Sequence, residues 1–243
     1  MSKSKVFAQE LISFLDCSPT QFHVVQNVSS ILEKQGFKSL NLSENWELKE
    51  GERYYVTQNG SSLFAFIYNK KSGINMIAAH TDSPGFRIKP DPEIMGNGYI
   101  KLNVEMYGGA IVNTWMDRPL GLAGRVILKG EDSFHPLVKN INIERALLTI
   151  PNLAIHLNPT INKGYEYNNQ SDLQPILHLI SENFEKEGLI VQLLSDELGV
   201  DKDAILDFEL YLTTIEKGCF VGLEQEMISA RKIDDCAMVH AGL

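Results

Sequence analysis

The stretch "INMIAAH", residues 74–80, narrows the fold more than any other. It is a short apolar run without polar alternation. That pattern marks a strand covered on both faces, as at the centre of an α/β sheet. The run ends in His80, and Thr81, Asp82 and the turn-forming Ser83-Pro84-Gly85 follow at once. In open α/β sheets, ligands and catalytic groups collect at the carboxyl ends of the strands. His80 and Asp82 are therefore the first candidates for chemistry, and residues two apart on a strand share a face.

The flanking segments fit an α/β frame. Residues 5–16 place Phe7, Leu11, Ile12 and Leu15 at helical spacing. "SPTQFHVVQNVSSILEKQG" predicts a second helix, with Ser18 as N-cap, Pro19 at the first helical position and Gly36 as the stop. Phe22, Val25, Val28 and Leu32 form its inner face, with His23 as an ordinary surface or boundary histidine. "ERYYVTQNGSSLFAFIYN" is a hairpin turning on Asn59-Gly60. From about residue 95 the character changes. "GYIKLNVEMYGGAIVNTWMDRPLGLAGRVILKG" is rich in β-formers, glycine and turns, which predicts a β-domain. "SDLQPILHLISENF" and "LIVQLLSDELGV" supply helical or mixed segments, and "AILDFELYLT" another strand. The closing "EQEMISARKIDDCAMVHAGL" sets Asp234-Asp235 ahead of a pattern that predicts the start of a helix.

Composition removes several function classes. The 243 residues leave room for one large domain or two modest ones. A net charge of −9 and a pI near 5.2, without a basic block, argue against nucleic acid or anionic membrane as partners. Cys17, Cys219 and Cys236 are an odd, sparse set without zinc-finger spacing, which suits a reducing compartment. The N-terminus lacks the apolar core of a signal peptide and no 18-residue apolar stretch occurs, so the expected location is cytoplasmic.

Two local patterns bear on chemistry. A neutral imidazole is a good zinc ligand, and a neighbouring carboxylate can hold its ring in one tautomer. His80-x-Asp82 fits that description, and it equally fits a solvated loop pair. One carboxylate of Asp234-Asp235 could bridge two metal ions about 3.5–4 Å apart, as two-metal hydrolases require. The same pair is also ordinary at a helix N-terminus, where the dipole favours acids. Ser83 lacks the Gly-x-Ser-x-Gly elbow of a nucleophilic serine. Gly108-Gly109 has no phosphate-loop context and reads as a turn or a close packing point.

Taken together, "AAHTDSPGFRIKP", "VEMYGGAIVNTWMDRPLGLAGRV", "IPNLAIHLNP", "DFELYL" and "EMISARKIDD" resemble, in that order, the M18 metallo-aminopeptidases, the aspartyl aminopeptidase family. The resemblance covers nearly the whole chain. It implies a zinc-peptidase-like α/β sheet domain, incomplete here, interrupted by an inserted β-rich dimerisation domain. Residues 1–93 would be the first catalytic segment, 94–221 the oligomerisation insert, and 222–243 the start of the second catalytic segment. It implies that His80 is a zinc ligand, that Asp82 orients it, and that Asp234 bridges two Zn2+ ions. His156 would reach the active site of a neighbouring subunit. The implied activity is removal of acidic or neutral N-terminal residues from peptides, by homo-oligomers built from dimers up to dodecamers. The chain departs from the family in two ways. Arg231-Lys232 stands where the approach to the bridging aspartate usually carries a proline. The His-Glu-Glu stretch that supplies the general base and a further ligand is not found in these residues. The 243 residues alone are therefore expected to be inactive. A non-catalytic assembly or regulatory subunit that keeps the dimerisation domain is the alternative.

Overall fold

The computed structural model describes residues 3–70, 73–180 and 188–243. The chain divides into two compact units. One comprises the residues up to Ser83 together with Glu216–Leu243, and the other is Pro84–Ile215.

The first unit opens with two helices, α1 (Lys3–Asp16) and α2 (Gln21–Lys34). The apolar spacing of α2 buries Phe22, Val24, Val25, Val28 and Leu32 on one face. Its N-cap is Thr20, not Ser18. The first helical bond runs from the Val24 N–H to the Thr20 carbonyl, while Asn27 donates to the Ser18 hydroxyl from within the helix. The far end closes as expected. Gly36 at φ +82° lets its own N–H reach the Glu33 carbonyl and the Phe37 N–H reach that of Leu32, the paired bonds of a Schellman stop.

Three strands follow, β1 (Lys38–Leu40), β2 (Arg53–Gln58) and β3 (Ser62–Ile67). The first two pair in parallel and the last two antiparallel, in the order β1-β2-β3. The β2–β3 turn carries Asn59 at φ +53° and Gly60 at φ +64°. A type I′ hairpin turn demands positive φ at both positions, which is why Asn-Gly serves there.

The second unit is built on β4 (Gly85–Gly96), β5 (Tyr99–Tyr107), β6 (Leu120–Leu128), β7 (Leu137–Leu148), β8 (Ile176–Leu179) and β9 (Ile205–Thr214). They form one antiparallel sheet in the order β7-β6-β9-β4-β5-β8. Helix α3 (Leu189–Leu198) packs Ile190 and Leu194 into the same core as Phe86, Leu102, Leu122 and Leu212. Gly124 is required on β6, because a Cβ there would lie 1.9 Å from the Glu209 carbonyl oxygen on β9. In β4, Pro90 and Pro92 flank Asp91 at φ +48°, and the register shifts between Ile88 and Glu93, since proline cannot donate to a ladder. "SDLQPILHLISENF", read as helical or mixed, contains the strand β8, and its residues 181–184 lie outside the described residues. Along 104–116, Val104 and Met116 are buried, and the ring of Trp115 meets that of Phe86 edge-on at 5.4 Å.

The chain then returns to the first unit with β10 (Cys219–Val221), β11 (Met227–Ser229) and the helix α4 (Ile233–Ala241). Cys236 of α4 is fully buried beside Phe14, Leu15, Val24 and Val28. The His240 ring lies 4.9 Å from that of Phe7 and 5.5 Å from that of Phe14.

One expectation fails. Residues 74–80 form no strand, and Ile74, Met76 and Ile77 are 86, 69 and 75% exposed. A strand needs a hydrogen-bonded neighbour, and β3 ends its sheet without one beyond it among the described residues.

Candidate metal centre

His80 and Asp82 meet without a strand to align them. The His80 ring turns back over the bend, so that Nδ1 lies 3.0 Å from the Asp82 carbonyl oxygen and 3.2 Å from its carboxylate Oδ1. Both partners are acceptors, which puts the proton on Nδ1. In the neutral ring, Nε2 then carries the lone pair.

That lone pair faces two carboxylates from the other end of the chain. Nε2 is 3.3 Å from Asp234 Oδ1 and 3.9 Å from Asp235 Oδ2. Donor atoms of His80, Asp234 and Asp235 lie within 4.8 Å of one another. Three lone-pair donors converging on one spot repel each other unless a cation sits among them. A proton on Nε2 meets that need in part. Burial draws the His80 pKa down, but the Asp82 backbone hydrogen bond and the charges of Asp82, Asp235 and Asp234 outweigh it and raise the pKa above its ordinary value. A divalent metal meets the need more fully, and imidazole with carboxylates is a zinc-compatible donor set. The residues present fit such an ion.

The two segments are tied together directly. The His80 backbone N–H donates to Asp235 Oδ2 at 3.2 Å, and the Ser83 hydroxyl donates to the Asp234 carbonyl at 2.8 Å. The Thr81 hydroxyl anchors the bend to the Ser61 carbonyl at 2.7 Å. On the other side, Asp234 (φ −85°, ψ 112°) and Asp235 (φ −115°, ψ 16°) leave helical geometry inside the first turn of α4. Lys232 precedes them at φ +58°. Burial pushes its amine down to about 8, against the raising influence of Cys236 and Asp82.

The double carboxylate was legible in the sequence, but Asp235 was not singled out beside Asp234. Its part depends on a contact with a residue 155 positions away. Ser83, unsuited to nucleophilic catalysis by its sequence, turns out to brace Asp234. His156 belongs to the other compact unit. It is exposed, and it sits in a turn closed by bonds from the Leu157 and Asn158 N–H groups to the Ala154 carbonyl.

The sequence pattern of the family described as aminopeptidase I zinc metalloprotease (M18) matches residues 14–243. The chain belongs to the M18 family. Among its M18 relatives, a probable M18 family aminopeptidase 2 of Clostridium novyi is 47% identical over 247 residues, which cover 99% of this chain and 57% of the relative. The backbone is similar to that of a chain in a structure of the Ape4 and Nbr1 complex, with a TM-score of 0.91 and 35% identity over 98% of this chain and 49% of that one. Chaetomium thermophilum mApe1 gives a TM-score of 0.86 and 33% identity over 96% of this chain and 56% of that one. The chain thus spans a little over half the length of the curated relatives it matches. Among the described residues no helix is long and apolar enough to cross a membrane.

Proposed function

We propose that these residues supply one part of the active site of a zinc-dependent aminopeptidase, with His80 and Asp234 as metal ligands. The observation that carries this reading is the convergence of His80 Nε2 with the Asp234 and Asp235 carboxylates, while Nδ1 is already committed to Asp82. When bound, zinc supplies Lewis acidity toward a peptide carbonyl.

The chain's own residues prepare that site. Asp82 accepts the Nδ1 proton, which fixes the tautomer and directs Nε2 toward the metal position. Asp234 presents its carboxylate beside Nε2, where it would help hold the metal. Asp235 holds the His80 backbone, and Ser83 holds the Asp234 carbonyl. The cluster contains no glutamate, so proton transfer from the attacking water to the leaving amine falls to a general base outside it. We assign His156, supplied by a neighbouring subunit, the role of a donor near the developing oxyanion. The homo-oligomer that this requires, a dimer building to a dodecamer, uses the β-rich insert. Exposed Phe134, Leu137 and Val138 at the sheet's β7 edge support such contacts.

The test uses a chain carried to the full length of the M18 relatives alongside residues 1–243. The long form should hold about two zinc ions per subunit, the number a two-metal site requires. It should cleave aspartyl or leucyl anilides and lose that activity to chelators. Residues 1–243 alone should bind zinc weakly, because Asp235 Oδ2 is engaged by the His80 backbone N–H and the two remaining ligands, His80 and Asp234, fall short of the three protein donors a zinc site wants; they should also show negligible hydrolysis. Hydrolysis by the long form that survives exhaustive chelation, or that persists in both His80→Ala and Asp234→Ala, overturns the assignment.

A further inference from the structure

The turn 154–158, which carries His156, is not pinned by its own apolar side chains. Leu153, Ile155 and Leu157 are all exposed. The buried residues on either side are Ile150 and Asn158. A segment with few buried contacts opens easily, so the place of this turn depends on the backbone that leads into it.

That backbone is clamped from two directions. Thr149 exchanges backbone bonds with Ile176, at 3.3 and 2.8 Å. On the other side, Met116 pairs in parallel with Ile150, and the Ile150 carbonyl accepts from the Asp117 N–H at 2.9 Å. Pro151 then has no N–H to offer. The next tie comes again from Asp117, whose Oδ1 accepts from the Asn152 N–H at 2.8 Å. Asp117 stands at φ +55°, in the left-handed region that glycine enters most freely and aspartate tolerates. A glycine would serve the backbone there equally well. What it would lack is the carboxylate that holds Asn152.

We infer that Asp117 is a positioning residue, whose carboxylate fixes Asn152 and through it the turn that presents His156. An oxyanion donor has to stand about 2.7–3.1 Å from the developing charge, and a misplacement of about 1 Å can cost about 10²-fold in rate. A turn without packing of its own meets that tolerance only when its entry is fixed. The inference rests on the peptidase reading only for what His156 does. That Asp117 holds the turn stands on the contacts themselves.

Amide exchange in residues 1–243 tests the anchor without any activity. Asp117→Gly keeps the left-handed backbone and removes the carboxylate. The Leu157 and Asn158 amides, which close the turn on the Ala154 carbonyl, should then exchange at least about tenfold faster. Asp117→Asn keeps an acceptor oxygen and should restore slow exchange. Tyr165→Phe removes a hydrogen bond to Asp172 elsewhere in the same unit and should leave both amides unchanged. In the long form, Asp117→Gly should lower kcat with KM little changed, as loss of an interaction made only in the transition state does. It should cost nothing further in a His156→Phe background, because both changes then act through one group. A merely structural Asp117 would cost as much in either background. Unchanged Leu157 and Asn158 exchange in Asp117→Gly overturns the inference, and so do losses that multiply in the double variant. A fully active His156→Phe enzyme counts against the role given to His156, and exchange then decides the anchor by itself.

Discussion

The backbone N–H of His80 donates to the carboxylate of Asp235 at 3.2 Å, joining positions 155 residues apart. The bond fixes the distance between the two ligand-bearing segments, because Asp235 is covalently next to Asp234. Beside it, the bend after residue 79 and the first turn of α4 are joined by the Ser83 hydroxyl on the Asp234 carbonyl and by the Cys236 thiol on the Thr81 carbonyl at 3.8 Å. Asp235→Ala should therefore cost about 1.5–3 kcal/mol of unfolding free energy, the range for a hydrogen bond to a charged group. Asp235→Asn keeps an acceptor oxygen and should recover most of it. Urea melts of residues 1–243 measure both. Zinc affinity in the long form should fall with Asp235→Ala. An affinity equal to wild type would show that Asp235 holds only the fold.

Asp82 acts on the ring itself. Its carboxylate and carbonyl oxygens both accept from Nδ1. Asp82→Ala leaves the backbone carbonyl as the one remaining tether and frees the ring to rotate. Loss of such an orienting carboxylate typically weakens metal binding by about 10–100-fold. Chelator competition on the long form reads the change directly. A drop in kcat with unchanged metal affinity would place Asp82 elsewhere in the reaction.

The parts of the fold that were legible beforehand are those decided within a few residues. Asn59-Gly60 announced its hairpin because few other pairs accept positive φ twice in succession. Gly36 announced the end of α2 for the same reason. The N-cap fell two residues late because the Ser18 hydroxyl is engaged by Asn27, a contact no local pattern encodes. Residues 74–80 show the larger limit. Their apolar run describes the surroundings of a strand, but burial belongs to the neighbours that cover it. His80 and Asp82 meet through a bend where strand alternation was expected to align them, so the pairing was legible and its geometry was not. His23 is the boundary histidine its position beside the inner face of α2 described, partly buried and with Nδ1 2.8 Å from the Thr20 hydroxyl.

That enclosure gives the protein a pH dependence. Burial first, then the charges of Lys232 and Arg231, lower the His23 pKa from 6.5 to about 4. Between those values the unfolded chain binds more protons than the folded one, so stability rises with pH. The contribution is complete above about 6.5 and is lost as pH falls to about 4, with a size of at most about 3 kcal/mol at 1.36 kcal/mol per unit. His23→Phe should flatten this part of the acid limb. Urea midpoints of both proteins between pH 4 and 7 measure it, and parallel curves would mean that His23 titrates normally.

The last prediction concerns His156, which sits exposed in the turn 154–158 of the second unit. A histidine whose neighbours Ile155 and Leu157 are also exposed contributes little to its own fold, so substitution should leave the melting temperature unchanged. If it serves the active site of an adjacent subunit, His156→Phe in the long form should lower kcat by about 10²–10³-fold, the loss that follows removal of one oxyanion donor. Zinc content and oligomer size should not change. Mixed oligomers give the decisive measurement. A His80→Ala subunit has a disabled metal centre and an intact His156, and a His156→Phe subunit has the reverse. Co-assembled, some sites combine an intact centre with an intact donor, so activity should rise above that of either parent. Proven co-assembly without any recovery would confine His156 to its own subunit's surface.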